Sequence, residues 1–127
     1  MPLVRISLMQ GKPAKYRAAI GNAVHRAMVE SINVPPLDHF QVITEHARGD
    51  IVYNPTYLDI KRTDDVVFIQ ITMNVGRTVE MKRSFYRRIT ELLSADPGIR
   101  PEDVMVNLIE VPKENWSFGN GIASYAQ

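Results

Sequence analysis

The chain has 127 residues, a formal net charge of +1 and no cysteine. Disulfides, thiolate metal sites and a cysteine nucleophile are therefore excluded, and the small net charge gives no electrostatic case for nucleic acid or an anionic membrane surface as partner. A hydrophobic content of 45% with 23% charged residues suits a globular chain, and a domain near this length buries roughly two-thirds of its unfolded surface without staples. One domain over residues 1–127 is the expectation. The N-terminus lacks a basic segment ahead of an apolar stretch, and no apolar run is long enough to span a bilayer, which points to a cytoplasmic location.

Residues 2–9 (PLVRISLM) have the apolar, β-branched character of a strand. The segment "QGKP" interrupts it, and Pro13 suits the first turn of a helix. Between Lys15 and Ile32, apolar residues recur at Tyr16, Ile20, Ala23, Val24, Ala27 and Met28, a helical stripe. "NVPPLD" stops it, because a residue preceding proline avoids helical angles. "HFQVITEH" (39–46) reads as a second strand. A connector follows over 47–64, long enough to carry function or to pack on a partner. The pattern then recurs. "VVFIQITM" (66–73) is a strand, "NVGRT" a turn with Thr78 as N-cap, and Met81, Phe85, Ile89, Leu92 and Leu93 form a second helical stripe. "DPGIRPED" ends that helix, "VMVNLIEV" (104–111) is the fourth strand, and the tail from Pro112 holds "NWSFGNG".

The halves, 2–46 and 67–111, align without a gap at an offset of 65 positions. Ile6 matches Ile71, Gly11 matches Gly76, Lys12 matches Arg77, and Asp38 matches Asp103. The sequence thus predicts an α+β fold: two fused β-α-β units giving a four-stranded mixed sheet with both helices on one face.

Three positions invite chemistry. Pro2 is an ordinary strand start, or, once Met1 is removed, a secondary amine able to act as base or acid. While Met1 remains, that nitrogen is a tertiary amide with neither property. Arg77 stands at a helix N-terminus, where a cation opposes the dipole unless an anion lies between them; the plain alternative is an exposed surface arginine. Asp38 and Asp103 share the context P-x-D before a strand, so each either serves a site or bonds backbone N–H groups in a turn. His39 and His46 are expected on opposite faces of the second strand, and "KRSFYRR" (82–88) on the solvated face of the second helix.

Pro2 opening a strand, the fused β-α-β units, "DHFQVITEH", "GRT" and "NWSFG" together resemble the tautomerase superfamily, and within it the malonate semialdehyde decarboxylase-like group. The resemblance covers nearly the whole chain. It implies a homotrimer without metal or organic cofactor, with the N-terminal proline in a pocket near a subunit boundary. It implies catalytic roles for Pro2, Arg77 and Asp38, the last positioning substrate or water and keeping the proline charged. Trp116 and Phe118 match pocket-wall residues, Tyr125 offers a hydroxyl, Asn74 is grouped with them, and His25 matches a histidine used by a related dehalogenase group. The best-known decarboxylases carry R-P-R where this chain has Val75, Gly76 and Arg77, so one carboxylate contact is missing. The implied reaction is decarboxylation of a small oxo carboxylate. Keto–enol tautomerisation of the 4-oxalocrotonate or phenylpyruvate type is the alternative, dehalogenation of a haloacrylate is third, and a non-catalytic small-ligand or cytokine-like module is the rival of another class.

Overall fold

A computed structural model describes residues 2–125. The elements are β1 (Leu3–Met9), α1 (Ala14–Ser31), β2 (Gln41–His46), β3 (Val67–Asn74), α2 (Val79–Ala95) and β4 (Val104–Val111). The sheet order is β2-β1-β3-β4; β1 pairs with β2 and β3 with β4 in parallel, while the central β1–β3 pair is antiparallel. This is the mixed sheet of two fused β-α-β units that the sequence implies.

The central strands follow period-two burial. Val4, Ile6 and Leu8 of β1 and Val67, Ile69, Ile71 and Met73 of β3 are buried, and the register sets Ile6 against Ile69. Both helices cover this face. α1 contributes Ile20, Val24 and Met28, and α2 contributes Phe85, Ile89 and Leu93 at the offset positions. Each large apolar side chain removed from water here contributes roughly 1.5–3 kcal/mol, so the core is built twice from one pattern.

Local signals also appear as expected. The Thr78 hydroxyl accepts the Met81 N–H at 3.2 Å, capping α2. The turns entering the helices need left-handed backbone, which Gly11 (φ +116°) and Gly76 (φ +126°) supply.

Some details differ from the sequence reading. β1 begins at Leu3, leaving Pro2 just ahead of it. β2 begins at Gln41, because the Asp38 N–H donates to the Pro35 carbonyl at 2.9 Å and prolongs the turn; His39 therefore lies outside the strand that His46 ends. The segment 82–88 is not all solvated, since Phe85 is fully buried, Lys82 reaches Glu110 at 2.6 Å and Arg88 ties α2 to Glu30 of α1 at 2.6 Å. Among the described residues, no helix is long and apolar enough to cross a membrane.

Candidate active site

The antiparallel centre of the sheet decides where the site forms. Leu3 pairs with Thr72, so the head of β1 lies beside the end of β3. On its other side β1 runs parallel to β2, and the Val4 N–H donates to the Phe40 carbonyl at 3.0 Å. One end of the sheet therefore gathers Pro2, the 38–40 segment, Asn74 and the turn carrying Arg77. A cavity of about 400 Å³ opens there, lined by Asp38, Asn74, Gly76, Arg77, Lys113 and Tyr125 among others. Pro2 is buried at the head of β1 and is not in that lining. Met1, on whose removal the Pro2 amine depends, lies outside the described residues.

Arg77 does not extend sideways into solvent. Its Nε donates to the Ile32 carbonyl at 3.1 Å and its Nη1 to the Asn74 carbonyl at 3.1 Å. Ile32 is the C-cap of α1, so the cation at the start of α2 rests against the negative end of the neighbouring helix dipole. That contact offsets the unfavourable dipole expected at its own helix. Two of the guanidinium's five N–H groups are thereby committed, and the planar fork is held in one orientation toward the cavity.

Asp38 is buried, with 9% of its surface exposed. Desolvation pushes its carboxyl above the ordinary aspartate range, and the positive charges of His25 and Arg77 oppose that rise. Its repeat partner behaves differently. Asp103 is fully buried and accepts from the Thr63 N–H at 2.7 Å and the Thr63 hydroxyl at 2.6 Å. Those donors come from the connector, not from the turn that Asp103 itself occupies.

Asn74, the last residue of β3, is buried and links cavity to tail: its Oδ1 accepts the Trp116 Nε1–H at 2.7 Å. Trp116 stacks on Phe118 with ring centroids 5.5 Å apart, and Phe118 meets Tyr125 edge-on at 5.3 Å. The aromatic tail thus forms one packed run, of which Tyr125 reaches the cavity lining while Trp116 and Phe118 stand behind it.

His25 does not line the cavity. Its Nε2 lies 2.8 Å from the Pro36 carbonyl, which can only accept, so that nitrogen carries the proton. Its ring stacks on His39 at 4.0 Å and 10°. His25 thus braces the loop that bears Asp38. Lys113, just beyond β4, is a second cation in the lining that the sequence reading missed. The available signal was the repeat, since Lys113 stands 65 positions after Arg48. A cavity with two cations, a buried carboxyl and an amide suits a small anionic molecule with a second polar group.

A family model described as tautomerase enzyme matches residues 38–119, and another of the same description matches residues 2–60. The chain is 39% identical over 123 residues to the probable tautomerase YusQ of Bacillus subtilis (strain 168), covering 97% of each protein. Among solved structures it is similar to FG41 malonate semialdehyde decarboxylase inhibited by 3-bromopropiolate, with a TM-score of 0.91 and 38% identity over 97% of this chain and 93% of that one. It is also similar to a fused 4-OT solved as a symmetric trimer, with a TM-score of 0.76 and 25% identity over 94% of each chain.

Proposed function

The chain belongs to the tautomerase family, and on that premise we propose that it is a Pro2-dependent enzyme that decarboxylates a small 3-oxo carboxylate of the malonate semialdehyde type. The observation that carries this reading is the Arg77 guanidinium, fixed on the carbonyls of Ile32 and Asn74 and facing the same cavity as the buried Asp38. A guanidinium held in this way suits bidentate capture of a substrate carboxylate.

The roles divide as follows. Arg77 grips the carboxylate and Lys113 adds positive charge to the same cavity. With Met1 removed, Pro2 is a secondary ammonium that hydrogen-bonds the substrate carbonyl. The bond between the carboxylate carbon and C2 breaks, its electron pair moves into the carbonyl, and the oxygen receives the Pro2 proton as carbon dioxide leaves. The resulting enol takes a proton from solvent at C2 and returns its hydroxyl proton to Pro2, giving the aldehyde and restoring the ammonium. Asp38 keeps the ammonium charged and positions the substrate. Asn74 and Tyr125 offer polar contacts, while Trp116 and Phe118 back the wall and keep water out, which strengthens each charge interaction. His25 sets the loop that presents Asp38.

A second reading rests on one feature of the sequence. Val75 stands where the best-known decarboxylases carry an additional arginine. With one fewer cation to assist loss of carbon dioxide, a neutral Pro2 acting as base in keto–enol tautomerisation is the rival reaction.

The working unit of this proposal is a homotrimer. The sheet face away from the helices leaves Val42, Met105 and Ile109 exposed, at 45%, 52% and 38%, and such an apolar face is suited to a neighbouring subunit. Its fused 4-OT relative supports that assembly.

The test begins with mass spectrometry of protein purified from its own host, expected to show Pro2 as the first residue. Turnover of malonate semialdehyde and of an enol acid is then measured for wild type, Pro2→Ala and Arg77→Ala, beside titration of the Pro2 nitrogen. A charged nitrogen at pH 7 with turnover lost by orders of magnitude in Pro2→Ala supports the decarboxylase. A neutral nitrogen shifts the assignment to tautomerisation. Unchanged turnover in Pro2→Ala rejects proline chemistry altogether.

A further inference from the structure

The fold carries a second cavity, of about 450 Å³, at the opposite end of the sheet. Its lining includes Met9, Gln10, Gly11, Lys12, Tyr16 and Arg48. Moved by 65 positions, these become Asn74, Val75, Gly76, Arg77, Met81 and Lys113, which all line the first cavity. The backbone repeats as well: the Gln10 N–H donates to the His46 carbonyl at 2.9 Å, and the Val75 N–H to the Val111 carbonyl at 3.1 Å. The duplication has therefore built the same cradle twice, with a cation from the βα-turn and a second cation from just beyond the edge strand in each.

The two cradles differ in what faces their cations. Arg77 bonds backbone carbonyls and forms no ion pair among the described residues. In the second cavity Lys12 Nζ lies 3.0 Å from Asp65 Oδ1, and Arg48 Nη1 lies 2.5 Å from Asp64 Oδ2. Asp64 also accepts the Tyr53 hydroxyl at 2.8 Å, and Lys12 sits over the Tyr16 ring at 5.2 Å. Asp64 and Asp65 lie just ahead of β3 and themselves line the cavity. The segment leading into β3 thus brings its own carboxylates to the second cavity.

We infer that the second cavity is a carboxylate-binding site occupied by the side chain of Asp65, which stands against Lys12 as a ligand carboxylate would. The first cavity contributes to this only the proposed idea that its matching cation binds a carboxylate. The Lys12–Asp65 pair is open to water, with the two side chains 38% and 53% exposed, and such pairs are held weakly. Removal of the Asp65 charge leaves Lys12 without its carboxylate and the cavity around it open. A small free carboxylate then takes that place beside Lys12.

The test uses the uniformly ¹⁵N-labelled full chain titrated with sodium acetate at constant ionic strength, reading backbone amides. In wild type, Gly11 and Lys12 are expected to stay still. In Asp65→Asn they are expected to move saturably, with an affinity within about tenfold of that at Gly76 and Arg77, and Lys12→Met added to Asp65→Asn abolishes the response. Asp65→Ser, which also removes the charge, gives the same result and stands in if the first variant folds poorly. Silence of Gly11 and Lys12 in both charge-removed variants overturns the inference, and so does a wild-type response as strong as theirs. Silence at Gly76 and Arg77 alone counts against the proposed substrate class and leaves the Lys12 readout to decide this one.

Discussion

Asp38 and Asp103 stand 65 positions apart in matching P-x-D turns, yet only Asp103 is tied to the connector, through two hydrogen bonds from Thr63. One aspartate of the repeat is thus structural and the other borders a cavity. Asp103→Ala removes the buried carboxylate that accepts both Thr63 donors and frees the connector from the head of β4. The expected loss is about 2–3 kcal/mol, because the bonds are to a charged acceptor. Urea unfolding checks it, with Thr63→Val losing less, since that variant keeps the backbone N–H bond. Equal midpoints for Asp103→Ala and wild type would refute the structural assignment.

Asp38 predicts the opposite sign. Burial raises its folded carboxyl above the unfolded value, so between those two values the native state holds the extra proton. Stability from this group therefore falls as pH rises through that window and stays lower at neutral pH. Asp38→Asn, which is never ionised, is expected to melt higher than wild type at pH 7. The advantage should shrink as pH drops below the ordinary carboxylate range. Turnover should fall at least tenfold in the same variant, a trade of stability against function. Melting curves from acid to neutral pH decide the first point, and a lower melting temperature for Asp38→Asn at pH 7 would contradict it.

Arg77 anchors two elements as well as facing the cavity. Arg77→Lys keeps the charge but cannot present two donors in one plane to the carbonyls of Ile32 and Asn74. A stability loss of about 1–2 kcal/mol is expected, together with a KM for the oxo acid raised at least tenfold. Arg77→Ala should lose further in kcat/KM. A lysine variant that retains wild-type KM would mean that the fork does not bind the substrate carboxylate.

The fold was open to reading because its signals are local. Period-two runs at Val4–Leu8 and Val67–Met73, the stripe through Phe85, Ile89 and Leu93, and the Thr78 cap each declare themselves within a few residues. The gapless repeat then fixed the topology. What stayed hidden depends on contacts distant in sequence. The partner of Arg77 is the backbone carbonyl of Ile32, and any residue type would supply that acceptor. Thr63 is 40 positions from Asp103, inside a connector without periodicity. His39 read as strand because its neighbours alternate, while the turn bond from Asp38 to Pro35 delays β2. Lys113 was overlooked because tail residues have no pattern of their own.

The single tryptophan offers a direct optical readout of the cavity wall. Trp116 donates to Asn74 Oδ1, and Asn74 in turn lines the cavity beside Arg77. A carboxylate settling on Arg77 alters the field and packing at Asn74, one bond from the indole. Wild-type emission is therefore expected to change saturably with a small carboxylate inhibitor, and that change should vanish in Arg77→Ala. Trp116→Phe keeps the stacked ring on Phe118 but deprives the Asn74 side-chain Oδ1 of its donor. About 1–2 kcal/mol of stability should go with it, and KM should rise more than kcat falls, because the wall shapes binding and holds no proton in flight. A fall confined to kcat would instead put Trp116 in the chemical step.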